Sequence, residues 1–200
     1  MTIYKDLKTT NRTIGSGIDV SSGTIKLDGN YPTGTNNVAL GNGALDSIEA
    51  TADQNVAIGA NALTSNTTAD RNVAIGYNAF SSNTTGERGT AVGWCALACN
   101  TDARQNIGVG YVSLYRNTTG EFNTSVGSAS LSSNTTADYN VGVGYQSLNG
   151  NTIGANNTAV GSQSLKANTE GGGNTAMGLC ALNANISGDQ NVAIGLNAMQ

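Results

Sequence analysis

Apolar and polar positions along residues 36–200 return with a strict period. A run of the type Asn-Val-Ala-Ile-Gly recurs with its glycine at Gly41, Gly59, Gly76, Gly93, Gly110, Gly127, Gly144, Gly161, Gly178 and Gly195. The first interval is 18 residues and the eight that follow are all 17. Register marks this regular make the chain a repeat protein, and each repeat has to be read as one supersecondary unit.

Aligning the copies on that glycine separates columns with distinct physical meaning. Immediately before it stands an apolar residue in every copy, among them Ile58, Ile75, Val92, Val109, Val126, Val143 and Val160. Three residues before it the side chain is always β-branched (Val56, Val73, Thr90, Ile107 and their equivalents), and between these two positions only Ala, Gly or Ser occurs. Alternation of period two with β-branched residues predicts a short strand. Four residues after the glycine comes a second apolar column, Leu63, Phe80, Leu97, Leu114, Leu131, Leu148 and Leu165, preceded by Ala or Ser. The rest of each unit is polar and turn-like, as in Ser65-Asn66-Thr67-Thr68-Ala69-Asp70-Arg71. Each unit therefore reads as a strand, a bend at the glycine, a second short strand and a polar return turn. The pre-glycine column and the Leu column are both expected to point into the core.

Seventeen residues are too few for a βαβ unit, and no helical period is present. The expected fold is all-β: a parallel β-solenoid, or β-roll, of ten coils stacked in register. One coil orders seventeen residues but buries only about three large side chains, too little to offset its conformational entropy, so stacking is obligatory. Even the stack has a thin core, which predicts association of several chains. Stacking also gives the polar columns a purpose. Asn66, Asn83, Asn100, Asn117, Asn134, Asn151, Asn168 and Asn185 stand seven residues after successive glycines and are expected to form an amide ladder. Residues 1–35 lie outside the repeat. Gly17–Asp28 reads as two alternating strands around a Ser-Ser-Gly turn, suited to capping the stack or attaching it to a neighbouring protein. The chain ends at Gln200 halfway through a coil, so a further protein or further chain is expected to cover that edge.

Composition narrows the chemistry. The 200 residues contain no His, and charged residues are only 11%, so the commonest general base and transition-metal ligand is missing. No catalytic, cofactor or metal site is expected. The Gly-x-Gly strings at Gly108-Val109-Gly110 and Gly142-Val143-Gly144 belong to the repeat and open no helix, unlike nucleotide loops. Asp53, Asp70, Glu87, Glu121, Asp138 and Asp189 share a column that could hold calcium, although Arg71 and Arg88 beside them fit a solvated turn better. The net charge of −4 argues against nucleic acid as a partner. The absence of a long apolar run argues against membrane insertion, and Met1–Asp6 begins no signal peptide, so synthesis in the cytoplasm is expected. Cys95 and Cys180 occupy the same repeat position five coils apart, too far to bridge, and all three cysteines are expected to remain thiols.

One column invites a ligand. The residue after the glycine is Tyr77, Trp94, Tyr111 and Tyr145 in four copies and small or aliphatic in most others. In-register stacking should join the first three into an aromatic strip, able either to fill an interface between chains or to contact a host-surface glycan.

The unit Asn55-Val56-Ala57-Ile58-Gly59-Ala60-Asn61-Ala62-Leu63 resembles the head repeat of trimeric autotransporter adhesins. The longer unit Asn140–Leu148, followed by its Asn-Thr-rich turn, is similar to repeats of bacteriophage tail fibres. The resemblance covers residues 36–200 and implies left-handed winding, a homotrimer and surface attachment. The 17-residue period, with no signal peptide, coiled-coil stalk or anchor, favours the phage side. The expectation is a structural fibre component of a virion, joined to another virion protein through residues 1–35. The alternative is a bacterial cell-surface adhesin head, and a distant one an ice-binding solenoid built on the threonine column Thr67 to Thr169.

Overall fold

The computed structural model describes residues 34–200; the two-strand reading of Gly17–Asp28 lies outside the described residues. Ten three-residue strands follow one another: β1 (Val38–Leu40), β2 (Val56–Ile58), β3 (Val73–Ile75), β4 (Thr90–Val92), β5 (Ile107–Val109), β6 (Thr124–Val126), β7 (Val141–Val143), β8 (Thr158–Val160), β9 (Thr175–Met177) and β10 (Val192–Ile194). They form one sheet in sequence order, β1 to β10. Each pairs in parallel with the next, every residue opposite its equivalent 17 positions on (18 between β1 and β2), as in Val56↔Val73 and Ile58↔Ile75. The fold is an all-β parallel solenoid, and coils are numbered below by their strand.

The second strand expected in each unit does not form. After the strand the chain winds through a tight turn in which alternate residues adopt the left-handed conformation, such as Asn61 (φ 56°) and Leu63 (φ 50°). Such angles are uncommon for side-chain-bearing residues, yet here they recur in every coil. Backbone hydrogen bonds to both neighbouring coils hold them. Asn61 donates its N–H back to Asn42 O at 2.8 Å, whereas Leu63 donates forward to Ala79 O at 3.0 Å. The left-handed Leu column could not have been read from apolar periodicity, because a β-strand and this spiral both place every second side chain inward.

The motif glycine answers two demands at once. Gly59 has φ +130°, and a Cβ there would press on the carbonyl of Gly76 in the next coil. The same glycine-on-glycine contact runs up the stack, so a single alanine would collide with backbone rather than with a movable side chain.

The interior is narrower than the sequence pattern implied. Leu63, Phe80, Leu97, Leu114, Leu131, Leu148 and Leu165 are fully buried, and the small residue in the middle of strands β2 to β10 is buried with them. The pre-glycine column, expected in the core, is not: Ile58 and Ile75 are each 37% exposed and Val126 38%, and Val92, Val109, Val143 and Val160 are only half-buried. The cause is space. The centre of each strand faces the Leu and the Ala or Ser before it, and a 17-residue coil leaves room there only for Ala, Ser or Gly.

Two asparagine ladders fill the rest of the interior. In the expected one, each Nδ2 from Asn83 onward donates to the Oδ1 of the preceding coil, as from Asn134 to Asn117 at 2.8 Å. Its second hydrogen goes to a carbonyl in its own coil, that of Ala137 at 3.0 Å. The second ladder is the Asn that opens the motif. Asn123 Oδ1 accepts the backbone N–H of Asn140 at 2.9 Å, while Asn123 Nδ2 donates to Ala137 O at 2.8 Å. One amide thus ties two coils and both ends of the return turn. Among the described residues no buried side-chain nitrogen or oxygen lacks a partner, the condition under which so polar an interior is stable.

Coil 4 breaks the second ladder with Gly89, and coil 3 breaks the Leu column with Phe80. The two exceptions are one event: a Cβ on Gly89 would overlap the Phe80 ring.

Candidate functional site

With the Leu column inside, alternation along each strand turns its first and third residues outward. The sheet therefore carries two parallel columns on its outer surface from β1 to β10, one apolar throughout and one of Val and Ile interrupted by Thr90, Thr124, Thr158 and Thr175. Leu40, Ile58, Ile75, Ile107, Val126 and Met177 are among the exposed large apolar residues there. This face is the outer surface of a closed coil, and among the described residues nothing covers it.

Aromatic side chains edge the face. On the margin where the chain leaves the strand, Tyr77, Trp94 and Tyr111 stack in consecutive coils. Their ring centroids lie 5.9 and 5.1 Å apart, with planes inclined by 16° and 13°. All three are about half exposed, and the rings form the continuous strip that in-register stacking predicts. Tyr145 sits on the same margin two coils further on, separated by Ser128 of coil 6. On the opposite margin, where the chain enters the strand, Phe122 and Tyr139 make a second stack at 4.9 Å and 3°. Sequence reasoning missed this pair. Its column, five residues before the glycine, otherwise holds Asn, Gln, Arg or Gly, and the 17-residue spacing of the two rings was the available signal.

The remaining candidate columns are occupied with holding coils together. Thr118 Oγ1 donates to Thr135 O at 3.0 Å, and the other threonines from Thr67 to Thr169 repeat the bond. Their hydroxyl hydrogens are therefore spent inside the stack. In the acidic column, Asp70, Asp138 and Asp189 each accept the backbone N–H of the preceding coil at 2.7 Å. Asp53 accepts from the Thr35 hydroxyl and backbone N–H, and these bonds hold its carboxyl below the usual value. Among the described residues no group of three or more His, Cys, Asp or Glu could hold a metal ion. The three cysteines are free thiols, and burial raises the pKa of Cys95 and Cys99, making them poor nucleophiles.

The concave features are shallow. One is a mostly polar depression of 250 Å³ lined by Thr85, Asp102, Ala103, Arg104, Thr119 and Glu121, with little of the apolar lining that encloses small ligands. Among the described residues the extended outer face of the strands, with its aromatic margins, is the candidate contact surface. No helix among the described residues is long and apolar enough to cross a membrane. Comparison with protein-family models, curated proteins and solved structures returned no match.

Proposed function

We propose that this chain is a structural segment of a parallel homotrimeric fibre, serving as a rigid shaft or head for host attachment in a bacteriophage tail fibre or similar virion appendage. The observation that carries the reading is the outer strand face: an apolar surface on a solenoid whose interior is already closed and filled. The ten strands alone span roughly 48 Å by 10 Å, on the order of 500 Å², and the aromatic margins widen the patch. That lies at the upper end of what soluble monomers leave bare. A flat face repeating at the rung spacing is best covered by a surface with the same repeat, and a second and third copy of the chain supply one. The resemblance of the repeat to tail-fibre and adhesin modules supports the threefold number and the attachment role. Continuous backbone hydrogen bonding between coils suits a stiff rod.

Two measurements test this reading. Light scattering at micromolar concentration should return about three times the 20.2 kDa of one chain; a stable, folded monomer overturns the fibre. Immunogold labelling of the source material should decorate virion appendages, and label confined to bacterial outer surfaces would replace the phage assignment with an adhesin head.

A further inference from the structure

In three coils the two margins of the outer face carry complementary side chains. In coil 3 the entry margin is Arg71 and the exit margin Tyr77; in coil 4 they are Arg88 and Trp94. In coil 6 the sizes reverse, with Phe122 on the entry margin and Ser128 on the exit margin. Cations thus share rungs with aromatic rings, and a bulky ring shares a rung with a small hydroxyl. Within one chain the members of each couple stand on opposite sides of the strand, on the order of 15 Å apart. Arg88 finds little among the described residues: its side chain is 51% exposed, and its ion pair with Glu87 is stretched to 4.0 Å.

Rotation about an axis parallel to the stack changes this. When copies turn their flat faces toward such an axis, the entry margin of one copy meets the exit margin of the next at the same height. Antiparallel packing would instead bring like margins together with the coils in reverse order, and the couples would not meet. Resting on the homo-oligomeric reading above, we infer that neighbouring copies dock in parallel and in register, entry margin against exit margin, with the Arg71 and Arg88 guanidinium groups of one copy lying on the Tyr77–Trp94–Tyr111 stack of its neighbour. Arg over an aromatic face is a favoured pairing, strongest over Trp and when partly desolvated. The aromatic strip is then a corner seam between subunits rather than a free sugar platform. Rotation without translation keeps equivalent coils at one height, so that Arg71 meets Tyr77, Arg88 meets Trp94, Phe122 meets Ser128 and, in coil 7, Tyr139 meets Tyr145.

The test uses the full chain with Cys95, Cys99 and Cys180 replaced, so that introduced thiols are the only ones. Arg88→Cys/Trp94→Cys should cross-link between chains with a bis-maleimide of about 10 Å reach, giving covalent dimers and trimers. Arg88→Cys/Tyr145→Cys, displaced by three coils or about 14 Å along the stack, should give almost none. Both margins tolerate small residues in other copies, and Gln105→Cys/Tyr111→Cys repeats the in-register test in coil 5. Light scattering on the same samples separates the two ideas. A trimer with no in-register cross-link overturns the margin pairing and leaves the fibre standing; a monomer overturns the fibre itself. Trp94 is the only tryptophan, so its fluorescence provides a second readout without cysteines. Assembly should shift its emission to the blue and reduce acrylamide quenching several-fold, and Arg88→Gln should partly reverse both. Full solvent exposure of Trp94 in the assembled species, with emission that responds instead to added host glycan, would overturn the pairing in favour of a sugar site.

Discussion

The inside and the outside of a coil are built from residues that alternate along the same three-residue strand, yet they obey opposite rules. Facing inward, the middle strand position admits only Ala, Gly or Ser, and the motif asparagine four before the glycine is replaced only once in ten copies, by Gly89. Facing outward, the flanking positions accept Val, Ile, Leu, Met and Thr in turn. Size therefore governs the interior, where a neighbouring coil presses on every atom. Outside, β-branching and apolar character suffice, because the surface has only to be flat and unreceptive to water. The larger side chains of the strand are on the side with more room, not on the side of the core.

The sharpest way to break that contrast is to place one charge on each side. Leu114→Asp puts an unpaired carboxylate into a fully buried position and should cost upwards of about 4 kcal/mol, with loss of the β signal in circular dichroism. Ile75→Asp, on the outer face, should leave the coils folded while shifting the assembled species to single chains by light scattering. If Ile75→Asp removes the β signal as completely as Leu114→Asp, the distinction between the faces is wrong.

Next in size is the interior exception in coils 3 and 4. Gly89→Asn alone should destabilise by about 1–3 kcal/mol through overpacking against Phe80. Phe80→Leu/Gly89→Asn recreates the pair found in the other coils and should recover most of that loss. Thermal melts of the four proteins in the cycle then give a coupling energy of about 1–3 kcal/mol; additive effects would mean that the two substitutions in the repeat are unrelated. Cutting a ladder should cost a similar or smaller amount. Asn117→Leu removes one of the two donors to Gly120 O and leaves one amide hydrogen of Asn134 without its present acceptor, worth about 1–3 kcal/mol, read as an earlier denaturation midpoint. Substituting the exposed Asn156 on the entry margin should change that midpoint little.

The smallest effect is one of pH at the surface. Bonds from Thr35 lower the carboxyl pKa of Asp53 in the folded chain, so their contribution is present above the ordinary carboxylate pKa and lost as the pH falls through the lowered value. Thr35→Val should move the Asp53 titration back toward the ordinary value in an NMR pH series. An unchanged titration would assign the shift to another neighbour.

Much of this architecture is legible in the residues alone. The 17-residue interval, the strand positions, the parallel register, the buried Leu column and the first asparagine ladder all follow from columns that line up only if equivalent residues stack. The aromatic strip follows in the same way, since identical positions in consecutive coils must lie one rung apart. What the columns could not decide was which half of an alternating strand faces inward. Period two separates the residues of a strand into two sets but is symmetric between them, and the usual preference for burying Val and Ile pointed the wrong way. Only closure of the coil settled it: the left-handed turns after each glycine bring the Leu column across the interior, and the space that remains accepts a methyl or hydroxyl group but not an isoleucine. The same closure coupled Phe80 to Gly89, nine residues apart in sequence, and turned the motif asparagine from a turn residue into a buried staple. These outcomes depend on distances across the coil, which a linear pattern does not contain.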